Sequence, residues 1–339
     1  VRQPAVSVLL PCRDCACTLP AALDSLFAQT LADFEILAVD DGSRDDTPAI
    51  LAARAASDAR LRVLSRPREG LVAALNAGLA AARAPLIARM DADDLCLPER
   101  LELQVGHLDG RPDLGLSACR VRFGGDRAAA RGYAHYVDWT NTVATPGDIA
   151  LNRFVESPLA HPSVAFRAEV ARRHGGYRDG PFPEDYELWL RWLEQGVSME
   201  KLPRELLVWN DPPHRLSRSD PRYDPEAFYR VKAGYLARWL MAHDPFWPEV
   251  GVVGAGRTTR KRAEVLTEFG ARITAYVDID PRKVGRVVHG RPVLDRRDLP
   301  PPGRMFLVSY VASRGARDDI AAFLAARGYL AGRDFLLAA

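Results

Sequence analysis

The sequence predicts an α/β protein: a mostly parallel sheet flanked by helices, followed by a smaller α/β domain. Three observations lead there. Short apolar runs alternate with helical stretches of about a dozen residues, the pattern of right-handed βαβ units. Acid-rich segments follow directly on the apolar runs, where the strand ends of such a sheet collect ligands. A fresh strand with a glycine turn then opens after Pro248.

The elements follow in order. Val6-Ser-Val-Leu-Leu10 reads as a buried strand and Leu19 to Gln29 as a helix. Glu35-Ile-Leu-Ala-Val39 is a second strand, ending in Asp40-Asp41-Gly42-Ser43. A helix over Thr47 to Ala56, a strand at Leu61-Arg-Val-Leu64 and an alanine-rich helix from Leu71 to Ala82 come next. Pro85-Leu-Ile-Ala88 leads into Arg89-Met-Asp-Ala-Asp-Asp94, and a helix begins near Pro98-Glu-Arg-Leu101. The segment from Gly124 to Arg153 has mixed periodicity and carries Tyr133, His135, Tyr136 and Trp139. It reads equally as the acceptor side of a crevice or as a surface segment whose aromatics pack under a loop. Ser157 to Phe166 reads as a loop entering a strand, with His161 before a proline. Phe182 to Leu190 opens a helix that sets Tyr186, Trp189, Leu190 and Leu193 on one face.

Size and composition bound the function. The chain has 339 residues, 47% of them hydrophobic, enough for two packed cores, and we expect domains at 1–242 and 243–339. The formal charge of 46 − 44 = +2 argues against nucleic acid as a partner. No apolar run reaches membrane-spanning length, so the expectation is a cytoplasmic protein, with peripheral contact at the inner face of the membrane as its only membrane association. The five cysteines, an odd number with three in Cys12-Arg-Asp-Cys-Ala-Cys17, read as reduced thiols rather than a disulfide framework.

The chemistry concentrates in Asp91-Ala-Asp-Asp94. Alternate residues of an extended chain share a face, so Asp91 and Asp93 point the same way and Asp94 begins the turn. Crowded carboxylates raise one another's pKa unless a cation intervenes, and a divalent ion with open positions for phosphate oxygens is the usual solution. The plain alternative is that Asp93 and Asp94 cap the following helix. Asp40 or Asp41 can accept from a base or ribose, or simply build a capping turn. Glu184 and Asp185 sit at a helix N-terminus that favours an ionised carboxylate, suited to taking a proton from a hydroxyl. Capping accounts for these two acids as well.

Taken together, Val6-Ser-Val-Leu-Leu-Pro11, Val39-Asp-Asp-Gly-Ser43, Met90-Asp-Ala-Asp-Asp94 and Pro183-Glu-Asp-Tyr-Glu-Leu-Trp189 resemble family 2 glycosyltransferases of the GT-A fold over roughly the first 210 residues. The resemblance implies metal-dependent, inverting transfer from a nucleotide-diphospho-sugar, a UDP-sugar favoured, to a saccharide or lipid-linked saccharide, in bacterial surface polysaccharide synthesis. It implies that Pro11 and Arg13 line the base and that Asp41 bonds its edge. Asp91, Asp93 and Asp94 would hold Mn²⁺ or Mg²⁺ with the donor ribose and diphosphate, Asp93 or Asp94 being the direct ligand. Asp185 would be the catalytic base with Glu184 beside it. Arg13 stands where relatives place an aromatic, which weakens the inference to uracil. Arg215 and Ser217, in the polar loop Pro213-His-Arg-Leu-Ser217, read either as a lid over the diphosphate or as an ordinary linker.

Beyond the helical Pro225 to Met241, Val250-Gly-Val-Val-Gly-Ala-Gly256 runs into a helix through Phe269, and Ile273-Thr-Ala-Tyr-Val277 ends at Asp278. This is half of a Rossmann-like fold, with Gly254 and Gly256 permitting close phosphate approach and Thr259 in place of the third glycine. NAD is admitted by the first two glycines and disfavoured by the third position and the short remaining chain. A sugar-nucleotide oxidoreductase and a noncatalytic nucleotide-sugar-binding protein are therefore the rival readings.

Overall fold

A computed structural model describes residues 3–212, 215–313 and 315–339. Packing divides the chain into two units: residues up to Ile149 with Pro158–Asp220, and Ala150–Ser157 with Pro221–Ala339.

The first unit opens with β1 (Val6–Cys12), α1 (Leu19–Phe27), β2 (Phe34–Asp41), α2 (Thr47–Ser57), β3 (Leu61–Arg66), α3 (Leu71–Ala81) and β4 (Leu86–Arg89). Strands β3, β2, β1 and β4 lie side by side and parallel, so their carboxyl ends share one edge. β1 and β2 run two residues past the expected apolar stretches, because Pro11 and Cys12 pair with Val39 and Asp40 in the parallel register. Apolar side chains alternate between two cores, Val6, Val8 and Leu10 on one face and Leu9 on the other, as a sheet covered on both sides requires.

The remaining elements of this part are β5 (Leu95–Cys96), α4 (Arg100–Gly110), β6 (Leu114–Phe123), α5 (Arg131–Thr142), α6 (Pro146–Asn152), β7 (Val164–Arg167), α7 (Ala168–His174), α8 (Glu184–Glu194) and β8 (Ser198–Trp209). The eight-stranded order is β3-β2-β1-β4-β7-β6-β8-β5, with β7 and β5 antiparallel to their neighbours. α5 and α6 occupy much of the segment whose periodicity was mixed. α8 is buried well beyond the expected face: Glu187 and Arg191 are also enclosed and pair at 3.0 Å, and Arg191 donates to the carbonyls of Gly175 and Gly176. Polar partners inside the protein thus let charged helix positions be covered.

Glu35 illustrates how the sheet is fastened. It is enclosed on β2, where it accepts from Ser7 Oγ at 2.7 Å and the Arg83 amide at 2.9 Å and pairs with Arg62 and Arg83. Burial alone would raise its pKa, but the bonds from Ser7, Arg62 and Arg83 outweigh it and hold the carboxyl at about 2.

The second unit contains α9 (Pro225–His243), β9 (Glu249–Val253), α10 (Arg257–Thr267), β10 (Arg272–Asp278), β11 (Val287–Val288), β12 (Arg291–Asp295), β13 (Leu307–Ser309), α11 (Ala316–Ala326) and β14 (Phe335–Leu337). α9 falls in this unit, not with the residues up to Ile149 and Pro158–Asp220. Its buried Lys232 donates to the carbonyls of Phe154, Val155 and Ala338, at 2.8–3.1 Å, and so ties segment 150–157 in as well. β12, β10, β9, β13 and β14 form one parallel sheet in that order, and β11 pairs back on β12. Strands spread outward on both sides of the first one, the order of a doubly wound sheet, so the tail supplies more strands than the half-fold read from its sequence. No helix among the described residues is long and apolar enough to cross a membrane.

Candidate active site

β4 stops at Arg89, and Met90 still donates its amide to Leu9 of β1. From beneath, the buried Arg100 of α4 donates to the Arg89 carbonyl at 2.7 Å and is itself held by Gln104. The chain then turns through Asp91–Asp94, with the Asp94 amide returning to the Asp91 carbonyl. β8 fixes the far side of the turn: Asn210 donates its side-chain amide to the Asp93 carbonyl at 2.7 Å and its backbone amide to Asp94 Oδ1 at 2.8 Å. α4 begins at Arg100 with Glu99 at its N-cap position, and β5 lies between, so Asp93 and Asp94 do not cap that helix.

Asp91, Asp93 and Asp94 each offer an oxygen within 4.8 Å of the others. Asp94 is 1% exposed and its Oδ2 has no hydrogen-bond partner. Burial, then the charge of Asp91, pushes Asp93 up to about 6; burial and both neighbouring charges push Asp94 well above the carboxylate range. Three crowded acids with an unpartnered buried oxygen fit a divalent cation, whose charge relieves the repulsion.

Arg89, not singled out from the sequence, is the hinge of the electrostatics. It is 2% exposed, and its Nη1 lies 2.5 Å from Asp91 Oδ1. Against the cost of burial, the charges of Asp91 and Glu184 raise its pKa, so one buried guanidinium faces both the triple-acid turn and the start of α8. A charged residue closing the apolar run Leu86-Ile-Ala-Arg89 was the signal available.

At α8, Pro183 occupies the N-cap position without a side-chain cap. Asp185 Oδ1 accepts from the Tyr186 amide at 2.7 Å. Burial, then the neighbouring charge of Glu184, raises the Asp185 pKa to about 7. His161 lies behind this pair, enclosed, with Nε2 2.8 Å from Tyr177 Oη and Nδ1 3.8 Å from Glu184 Oε1. Burial, then Arg89, keeps the imidazole neutral, so it acts here as an internal hydrogen-bonding partner.

The residues assigned to the nucleotide gather at the ends of β1 and β2. Arg13 Nη1 is 3.7 Å from Asp41 Oδ2, and Asp41 accepts from the Glu69 and Gly70 amides at 2.7 and 3.0 Å, fastening β2 to the start of α3. Pro11 lies on β1 opposite Val39. Asp40 Oδ1 takes the Ser43 amide, the turn-building role that its Asp-Gly-Ser sequence also allowed. Arg215 sits 3.9 Å over the Trp209 ring and 5.4 Å over Tyr133, with a buried Nη1 lacking a partner, and its charge acts on Asp93 and Asp94. Ser217 Oγ is 3.2 Å from Tyr133 Oη. Pro213 and His214, which open that loop, lie outside the described residues.

Comparison with known proteins decides the family. The family described as Glycosyl transferase family 2 matches residues 7–175. The amylovoran biosynthesis glycosyltransferase AmsE of Erwinia amylovora is 33% identical over 190 residues, 56% of this chain and 69% of that protein. The chain belongs to glycosyl transferase family 2. Among solved structures, S. aureus TarS 1–349 in complex with UDP-GlcNAc matches with a TM-score of 0.57 at 19% identity, covering 78% of this chain and 71% of that one. A mannosyltransferase of Pyrobaculum calidifontis, in complex with GDP-Man and Mn²⁺, matches with a TM-score of 0.51 at 22% identity, covering 71% of this chain and 64% of that one. The first unit of this family 2 protein therefore has the GT-A fold. The family match takes in Pro11, Arg13, Asp41, Arg89 and Asp91–Asp94 and ends before α8.

At the glycine turn of the second unit the two glycines differ: a Cβ at Gly256 would have only Thr259 Oγ1 near it, at 4.0 Å. A Cβ at Gly254, whose φ is +102°, would meet Thr259 Cγ2 and Val311 Cγ2 at 2.7 Å. Asp278 Oδ2 accepts from the Ala255 amide and Lys283 Nζ, and Oδ1 from the amides of Ile279 and Asp280. Gly254 thus serves the packing of Thr259, and the acid serves its own loop.

Proposed function

We propose that the protein transfers a sugar from a UDP-sugar to an acceptor hydroxyl, with a divalent cation and with inversion, in the assembly of a surface polysaccharide. The observation that carries this is the gathering of Asp91, Asp93 and Asp94 within 4.8 Å, with the buried Oδ2 of Asp94 left without a partner. The donors named for the two solved neighbours, and the Mn²⁺ of one, support the class of substrate.

Asp93 or Asp94, with Asp91, would hold Mn²⁺ or Mg²⁺, which when bound offsets charge on the departing diphosphate. Pro11, Arg13 and Asp41 place the nucleoside at the ends of β1 and β2. Arg215, with its unpartnered Nη1, donates to a diphosphate oxygen, and its packing on Trp209 and Tyr133 limits water at the anomeric carbon. Asp185 accepts the proton of the attacking hydroxyl, and its pKa of about 7 suits a base working near neutrality. One carbon–oxygen bond forms as the bond to phosphate breaks, the electron pair leaves with UDP, and a single displacement inverts the anomeric centre. Glu184 assists by raising the basicity of Asp185. We assign the acceptor to the saccharides, free or lipid-linked, the reaction to the cytoplasmic face of the membrane, and residues 243–339 to a Rossmann-like scaffold.

Incubation with labelled UDP- and GDP-sugars, with Mn²⁺ or with EDTA, tests this reading. Release of UDP that depends on Mn²⁺ and on a UDP-sugar is expected. Equal turnover in EDTA, or no binding of any nucleotide-sugar, would overturn it.

A further inference from the structure

Beyond the ends of β6 and β8, on the side of the triple-acid turn away from β1–β3, the first unit holds a cavity of about 640 Å³ lined by Asp126, Arg131, Tyr133, Asp211 and Arg218. Two glycines let its wall form. A Cβ at Gly124 would meet Asn210 Oδ1 at 2.2 Å, and one at Gly125 would meet Phe123 Cζ at 2.6 Å and Asp211 Cβ at 2.8 Å. The sequence Gly124-Gly125 thus lets the chain leaving β8 lie against the end of β6, and it fixes Asp211 one residue from Asn210, the residue that holds Asp94.

The Asp211 side chain is 3% exposed. Its Oδ2 pairs with Arg218 Nη2 at 2.5 Å, while Oδ1 is enclosed and has no partner. Desolvating an acceptor without a hydrogen bond costs free energy, so an oxygen left this way beside a cavity calls for a donor from a ligand. The lining selects the kind. A free anion would meet the carboxylate of Asp211, and a free cation would meet Arg131 and Arg218. A neutral, hydroxyl-rich ring suits both: one hydroxyl donates to Asp211 Oδ1, a neighbouring oxygen accepts from Arg218, and Tyr133 adds apolar ring surface to the lining.

We propose that this cavity seats a neutral sugar ring of the acceptor, with Asp211 and Arg218 as its hydroxyl-binding pair. The inference rests on the transferase reading, since the nucleotide residues lie at β1 and β2 and the cavity lies beyond the acid cluster from them. It makes Asp211 a specificity residue that touches the acceptor and not the donor.

Saturation-transfer NMR with methyl and p-nitrophenyl pyranosides of glucose, galactose, mannose and N-acetylglucosamine, on the full chain with UDP and Mn²⁺, tests it. Wild type should bind at least one glycoside. Asp211→Leu should weaken that binding about tenfold or more, the worth of a hydrogen bond to a charged acceptor, and Asp211→Asn, which keeps the shape and one acceptor, should weaken it less. Calorimetric UDP affinity within twofold of wild type shows that the variants are folded. Glycoside binding unchanged in both variants, binding of inorganic phosphate in place of glycosides, or no glycoside bound by wild type would each sink the proposal. Failure of the transferase reading shows separately, as wild type that binds no UDP while still binding glycosides through Asp211.

Discussion

Replacing Asp94 by Asn should stabilise the metal-free protein while destroying its response to metal. Two carboxylate oxygens within 4.8 Å of each other repel by at least about 3 kcal/mol at an effective dielectric of ~20, and Asp94 faces two such neighbours. Arg89 and Arg215 offset part of this, so we take the net relief as about 2 kcal/mol, a rise of roughly 4–8 °C in the melting transition of the first unit. Asn preserves the acceptor for the Asn210 amide and places a donor where Oδ2 now has none. The sign with pH follows from linkage. A carboxyl whose pKa is higher folded than unfolded binds more protons when folded, so its contribution weakens as pH rises between the two values. For Asp93 that window runs from 3.8 to about 6. Thermal melts of wild type and Asp94→Asn at pH 5 and pH 8, each with and without Mn²⁺ and UDP, give the comparison. Without metal the variant should melt higher, more so at pH 8. With Mn²⁺ and UDP only wild type should gain. A variant that melts lower without metal, or gains as much as wild type with it, would refute the reasoning about the acid cluster.

Two further outcomes are expected. Asp185→Asn should lower kcat by about 10²–10⁴-fold with UDP still bound, and wild-type kcat should fall as pH drops below about 7 because the protonated acid cannot take the hydroxyl proton; a pH profile flat through neutrality would exclude Asp185 as the base. Glu35→Gln should cost about 3 kcal/mol in urea unfolding at pH 7, because it leaves Arg62 and Arg83 without their buried partner. The Glu35 pKa is depressed to about 2, so its stabilisation holds above 4.5 and fades as pH falls towards 2. The gap between wild type and variant should therefore be narrower at pH 3 than at pH 7, and an equal gap would count against the buried network.

Much of the first unit was legible because its signals are local. The runs at Val6, Glu35, Leu61 and Pro85 became β1–β4, and the acids fell at their carboxyl ends because parallel strands point one way. What stayed hidden depends on residues far apart in the chain. Arg100 is a buried arginine of α4 that reaches the Arg89 carbonyl on β4, Arg89 faces Glu184 at the start of α8, and Asn210 reaches the acid turn from more than a hundred residues away. The segment around Tyr133 gave no clear period because α5 buries only a narrow stripe of Ala134, Val137 and Thr140 and α6 has just seven residues. The division after residue 242 followed a Pro-rich boundary in the sequence. The packing of α9 follows Lys232, whose three carbonyl partners no local pattern reveals.

The central claim, that Asp91, Asp93 and Asp94 share a cation with a donor diphosphate, is tested most directly by calorimetric titration of UDP into the protein with Mn²⁺ and again with EDTA. We expect binding with Mn²⁺, and its loss in EDTA and in Asp93→Asn and Asp94→Asn. UDP binding of equal strength in all four cases would contradict it.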